Sequence, residues 1–183
     1  DAALDGFGLD VADMSVLDAG ASTGGFTDCL LQRGVARVTA LDVGHGQLHP
    51  SIRHDERVSV LERFHVRDVT TEHLGGTVDL VTADLSFISL TRVIGPMAAV
   101  LRDGGAMVLL VKPQFEAGRA EVSKGRGIIT DPAVHERVRS EVHTAIEAAG
   151  GAVHGWMDSP LLGGDGNREF LVHATFQRSG FPA

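Results

Sequence analysis

The 183-residue chain contains a single cysteine, Cys29. No internal disulfide is available to it, which suits a reducing, cytoplasmic setting. Cys29 falls on the apolar face of an expected helix beside Phe26 and Leu30, where a free cysteine is packing material. No apolar run is long enough to cross a bilayer, and none reads as a signal peptide. Basic residues are scarce: 16 Lys and Arg against 24 Asp and Glu give a formal net charge of −8. That balance works against nucleic-acid binding by this chain alone, because phosphate contacts need clustered cations. A local cluster or a second domain would have to supply them. The nine histidines have no companion cysteine and no His-x-x-x-His pair facing a carboxylate, so no metal site is expected.

What is present is an alternation of strands and helices, the pattern of a mostly parallel sheet covered on both faces. Strands are expected at Ser15–Ala19, Arg37–Asp42, Val58–Leu61, Val78–Ala83 and Ala106–Val111. Between them, Gly24–Arg33 reads as a helix stopped by Gly34, and Leu90–Leu101 as a helix interrupted at Gly95-Pro96. Asp131-Pro132 opens a longer helix, as N-cap and first-turn proline. Val134, Val138, Val142 and Ile146 form its apolar stripe, which ends at Gly150. Ala152–Met157 and Glu169–Phe176 follow as strands with only the loop Ser159–Asn167 between them, which predicts an antiparallel edge hairpin. The fold class is therefore α/β, a doubly wound Rossmann-like sheet in one domain over residues 1–183. The stretch Phe115–Thr130 reads as a long loop carrying Arg119, Lys124 and Arg126. Such a loop is either simply solvated or faces a substrate.

The chemistry gathers where such a sheet binds ligands, beyond the carboxyl ends of its strands. Asp18-Ala19-Gly20-Ala21-Ser22-Thr23-Gly24-Gly25 joins the first strand to the first helix. Ser22 stands where a dinucleotide fingerprint needs its second glycine, and no Gly-Lys-Ser/Thr follows. An acidic residue followed by Gly-x-x-x-Gly is instead the look of an S-adenosylmethionine loop. Asp42, with Val43 after it, ends the second strand, where a carboxylate can accept from both ribose hydroxyls of an adenosine; a plain turn aspartate is the alternative. Asp68 is a candidate for the adenine amino group, or a turn residue. Asp84, Lys112 and Glu169 fall at the ends of three separate strands and converge on the same edge. A lysine there can take or share a hydroxyl proton, and carboxylates can position it.

DAGASTGGFTD (Asp18–Asp28), DVGHGQL (Asp42–Leu48), ADLSFISL (Ala83–Leu90), VKPQFE (Val111–Glu116) and GNREF (Gly166–Phe170) occur in this order. Together they resemble the successive blocks of the TlyA-type haemolysin/rRNA ribose methyltransferases, within the FtsJ-like methyltransferases. The resemblance implies S-adenosylmethionine as cofactor, with the family's cofactor loop on Gly20–Gly25; Asp18, Asp42, Val43, Asp68 and Asp84 are the further cofactor-binding candidates. It implies methyl transfer to the ribose 2′-hydroxyl of cytidines in 16S or 23S rRNA, with ribosomal RNA or ribosomal subunits as partners. It also implies a Lys-Asp-Lys-Glu tetrad, of which Asp84, Lys112 and Glu169 match the last three members. The first tetrad lysine lies, in the family, just ahead of the residues that open this chain, and no lysine precedes Lys112. The family's N-terminal RNA-binding domain likewise falls outside these residues, so the chain is expected to be the catalytic domain alone. His45 stands where the family often has tyrosine. A methyltransferase for another RNA, a cofactor-binding module without catalysis, and a membrane-active haemolysin are the other readings.

Overall fold

The computed structural model describes residues 1–177. Its strands are β1 (Ser15–Ala19), β2 (Arg37–Asp42), β3 (Val58–Glu62), β4 (Val78–Ala83), β5 (Leu101–Val111), β6 (Gly151–Asp158) and β7 (Phe170–Phe176). They form one sheet in the order β3-β2-β1-β4-β5-β7-β6. The first five run parallel, and β7 inserts antiparallel between β5 and β6. The expected edge hairpin is thus present, with β7 on its inner side.

Strand alternation divides the core. On one face Leu17, Val81, Met107 and Val172 pack under α5 (Ile94–Ala99) and α8 (Pro132–Ala148). On the other, Val16, Leu80, Val108 and Leu171 meet α1 (Ala2–Phe7) and α2 (Gly25–Gln32). These are adjacent residues of the same strands, pointing opposite ways by the two-residue period. The α8 stripe behaves as its spacing predicts: Val138, Val142 and Ile146 are fully buried, and the Asp131 carboxylate accepts from the Ala133 amide at 2.9 Å as N-cap. Each such buried aliphatic side chain contributes roughly 1.5–3 kcal/mol.

Two expected elements differ. The helix expected over Leu90–Leu101 is a single 3₁₀ turn, Leu90–Arg92, followed by α5. Leu101 already belongs to β5, which begins before its Gly104-Gly105 bend; the register slips between Val78 and Leu80 to absorb the extra residues. A glycine pair reads as a turn in sequence, and here it is a bulge in a continuous strand. The stretch Phe115–Thr130 is also less open than expected. It contains the end of α6 (Pro113–Glu116) and all of α7 (Arg119–Lys124), helices too short to show a readable period. Of its three basic residues, the side chains of Arg119 and Lys124 lie outside the described residues. Two further single-turn helices, α3 (Pro50–Arg53) and α4 (Thr71–Leu74), cover the sheet edge near β3.

Candidate active site

The parallel strands end at one edge of the sheet, and β7 starts there. At Gly20 the chain turns off β1 with φ +83°, and its amide donates to Leu41 O at 2.8 Å. A Cβ at Gly20 would lie 2.2 Å from Asp84 O. Only glycine permits both this backbone angle and this approach. Ser22, with φ +48°, turns its amide to Asp42 Oδ2 at 2.8 Å, while Gly44 N donates to Asp42 Oδ1 at 2.7 Å. Asp42 thus ties the loop after β1 to the loop after β2, and each carboxylate oxygen retains acceptor capacity for a ligand hydroxyl.

Beside these loops lies a cleft of about 470 Å³. Gly20, Ser22, Asp42 and Val43 line one side, Phe64, His65 and Val66 another, and Asp84–Ile88 a third. The residues fit an adenosine ligand by their donor set: a carboxylate at the ribose position, close-approach glycine at the turn, and apolar walls from Phe64, Val66 and Leu85. His65 Nδ1 is buried without a hydrogen-bond partner among the described residues. A buried polar atom left in that state is one that a ligand's polar edge can satisfy.

The other loop positions are set back. Ala21 is buried among Ala40, Leu48 and Ile52. Thr23 O accepts from His49 N at 3.0 Å. A Cβ at Gly24, whose φ is +103°, would strike Ile52 and Leu48, so its role is to seat α2. Gly25 lines a separate, mainly apolar hollow of about 420 Å³ with Ala3, Leu4 and Leu30. Asp18 does not line the cleft. Its fully buried carboxylate accepts from Thr27 Oγ1 at 2.6 Å and Thr82 Oγ1 at 3.1 Å. Burial pushes its pKa up to about 6; the two threonine hydrogen bonds oppose this and the charge of Asp84 adds to it. It braces β1, α2 and β4 beneath the cleft. Asp68 also lies off the cleft lining. It sits in a 3₁₀ turn, Val66–Asp68, and pairs with Arg67 at 3.7 Å on the surface. The chain turns after Val66, so His65 and Val66 face the cleft in its place.

Asp84, Lys112 and Glu169 come together as their strand ends require. Lys112 Nζ lies 2.5 Å from Asp84 Oδ1 and donates to Ser86 Oγ at 3.2 Å. Val111 pairs with Phe170 at the end of the β5–β7 ladder, so Lys112 and Glu169 are the next residues out, side by side. Glu169 is buried, and its Oε1 accepts from Gln114 Nε2 at 2.9 Å. Asn167 holds the approach to it: Oδ1 accepts from Ile129 N and Nδ2 donates to Gly127 O, both at 2.9 Å. His45 stands at the rim, with Nδ1 3.1 Å from Glu62 Oε2. His65, Ser86, Phe87 and Gln114 were not singled out in the sequence. Phe87 is 92% exposed with φ +65°, and nothing in its residue type distinguishes an aromatic held outward from one in the core.

A mostly parallel seven-stranded sheet of this order, with a cleft beside a glycine turn and a strand-end carboxylate, is the architecture of a Rossmann-like methyltransferase. An S-adenosylmethionine-dependent methyltransferase from Mesorhizobium loti shares the fold with a TM-score of 0.67 at 15% identity, over 94% of this chain and 95% of that one. The FtsJ-like methyltransferase family matches residues 1–176, and the chain belongs to it. S-adenosylmethionine is the cofactor of that class. Within the family, the chain is 48% identical over 170 residues to the 16S/23S rRNA (cytidine-2′-O)-methyltransferase TlyA of Mycobacterium tuberculosis. The match covers 93% of this chain and 63% of that relative, so the chain spans under two thirds of its length. A solved structure from Streptococcus thermophilus, provisionally named a hemolysin, matches with a TM-score of 0.93 and 43% identity, over 97% of this chain and 64% of that one. Among the described residues, no helix is long and apolar enough to cross a membrane.

Proposed function

We propose that this chain is the catalytic domain of an rRNA methyltransferase that modifies ribose 2′-hydroxyls, with cytidines of 16S or 23S rRNA as targets. The observation that carries the reading is the Asp84–Lys112 pair beside Glu169, joined to the cleft through Asp84 and Ser86, which line it. The name of the Mycobacterium tuberculosis relative supports the substrate. An rRNA substrate implies ribosomal subunits as partners and a cytoplasmic location.

Gly20, Ser22, Asp42, Val43 and Asp84 would hold the cofactor, with His65 and Val66 at its adenine end. When bound, S-adenosylmethionine would supply an electrophilic methyl group, whose carbon–sulfur bond breaks so that the neutral thioether leaves. A neutral ribose hydroxyl is a poor nucleophile, and the chain's own residues address that. In its amine form Lys112 accepts the hydroxyl proton as the new O–C bond forms. Asp84, already within 2.5 Å, stabilises the ammonium so produced, and Glu169 adds a second negative charge nearby. Phe87 stands exposed at the mouth, beside Phe115 at 5.0 Å between ring centroids. An outward aromatic there offers a stacking face to an unpaired base. Alignment of the hydroxyl with the methyl carbon supplies much of the remaining rate.

The test is transfer of a tritiated methyl group to isolated ribosomal subunits by the full-length protein, with the modified nucleotide then mapped. Label on a cytidine 2′-oxygen is expected. Label on a base, or on no ribosomal RNA, overturns the reading.

A further inference from the structure

Glu116 is a half-buried acid outside the site described above. Its Oε2 accepts from Ser89 Oγ at 2.6 Å and its Oε1 from Leu90 N at 2.8 Å. Those two groups open the 3₁₀ turn that ends the loop after β4. Burial pushes the Glu116 carboxyl up, and the bonds from Leu90 and Ser89 pull it back.

The loop 84–90 and the segment 112–116 meet at three levels. At the outer end Lys112 meets Asp84 and Ser86. In the middle Phe87 meets Phe115. At the inner end Ser89 and Leu90 meet Glu116. The segment itself is one stiff turn, because the amides of Phe115 and Glu116 both donate to Lys112 O, at 2.9 and 3.3 Å. The levels differ in kind. Phe87 is almost wholly in water, and Lys112 reaches Asp84 and Ser86 through a long side chain. Glu116 takes two charge-assisted hydrogen bonds from the loop, one of them from backbone, so of the three levels it alone ties the loop's main chain directly.

We infer that Glu116 is a positioning residue: by fastening Ser89 and Leu90 to the helical turn that begins at Lys112, it sets the separation of Lys112 and Asp84 and the stance of Phe87. The inference rests on the reading of Lys112 and Asp84 as reacting-site groups. Releasing the inner end lets the loop drift, and a displacement of about 1 Å at such a site costs up to ~100-fold in rate.

Glu116→Ala and Glu116→Gln test this in the full-length protein, with Lys112→Ala alongside. In Glu116→Ala, kcat is expected to fall about 10- to 100-fold, and KM for S-adenosylmethionine to rise by a smaller factor, because residues 84–88 form only one wall of the cleft. Glutamine keeps an acceptor for Leu90 N and offers its amide to Ser89 Oγ, so Glu116→Gln is expected to recover most of that loss. In the ¹³Cε-lysine-labelled full-length protein, the Lys112 resonance is assigned as the one that Lys112→Ala removes. That signal is expected to shift in Glu116→Ala and to return toward its original position in Glu116→Gln. Should Glu116→Ala not fold, Ser89→Ala removes the Ser89 bond to Glu116 together with the cap bonds to Thr91 and leaves the Leu90 bond in place, and a smaller shift of the same signal is expected. An unmoved Lys112 resonance, or full kcat in a Glu116→Ala protein of lowered melting temperature, reduces Glu116 to a structural residue and overturns the inference. Full kcat in Lys112→Ala overturns the functional reading instead, while the Lys112 resonance of Glu116→Ala still reports on the clamp.

Discussion

Lys112 and Glu169 sit side by side because Val111 and Phe170 form the last pair of an antiparallel ladder. A sheet with β7 parallel to β5 would send Glu169 to the opposite edge. The insertion of one reversed strand is therefore what completes the cluster. Lys112→Ala is expected to lower methyl transfer by the full-length protein about 10²- to 10⁴-fold, the range of a lost general base. Glu169→Gln is expected to lower it less, since the amide keeps the Gln114 contact and loses only charge. S-adenosylmethionine binding, measured by calorimetry, should be nearly unaltered in both. Retained turnover in Lys112→Ala would remove that residue from the mechanism.

The cofactor end rests on Gly20 and Asp42. Gly20→Ala places a methyl 2.2 Å from Asp84 O at a φ of +83°, and both the clash and the backbone angle oppose it. The expected loss of stability is about 1–3 kcal/mol, with affinity for S-adenosylmethionine lowered about tenfold or more, equivalent to ~1.4 kcal/mol. Asp42→Ala frees the amides of Ser22 and Gly44 and removes the ribose acceptor, so affinity should fall there too. Calorimetric titrations unchanged by both substitutions would refute the placement of the cofactor in this cleft.

How far the sequence foretold this arrangement depends on the kind of signal. The strands and the hairpin follow from hydrophobic runs and from the missing helix between the last two strands, while the strand order is seen only in the structure. The convergence of Asp84, Lys112 and Glu169 follows from topology once that order is known. Asp18 and Asp68 show the limit. Both stand at strand ends as cofactor ligands would, yet one points into the core toward Thr27 and Thr82 and the other to solvent beside Arg67. Side-chain direction at a turn is set by one or two backbone angles that residue type does not fix. His65 was hidden for the same reason, and Glu116 because its partners, Ser89 and Leu90, come from a loop distant in sequence.

The formal net charge of −8 carries its own expectation. This chain by itself should bind RNA weakly, with a plot of log affinity against log salt shallower than about −2, roughly two phosphate contacts' worth. Filter binding across salt concentrations checks this. A steep slope and tight binding would mean that a local cation cluster outweighs the acidic total.

Asp18 makes stability depend on pH in a defined direction. Its folded pKa, about 6, is raised by burial from the ordinary aspartate value of 3.8. Between those values the folded state binds more protons than the unfolded state, so stability falls as pH rises. The contribution is fully present below about pH 4 and lost above about pH 6, a swing of about 3 kcal/mol at ~1.4 kcal/mol per unit. Asp18→Asn removes the titration while its amide can still bond both threonine hydroxyls. Urea unfolding of the two proteins should therefore show the difference between them moving in favour of the asparagine variant from about pH 4 to about pH 7. The gain has a functional counterpart, since the brace supports both the glycine turn and, through Thr82, the strand that delivers Asp84. A pH-independent difference would mean that Asp18 stays in one protonation state across that window.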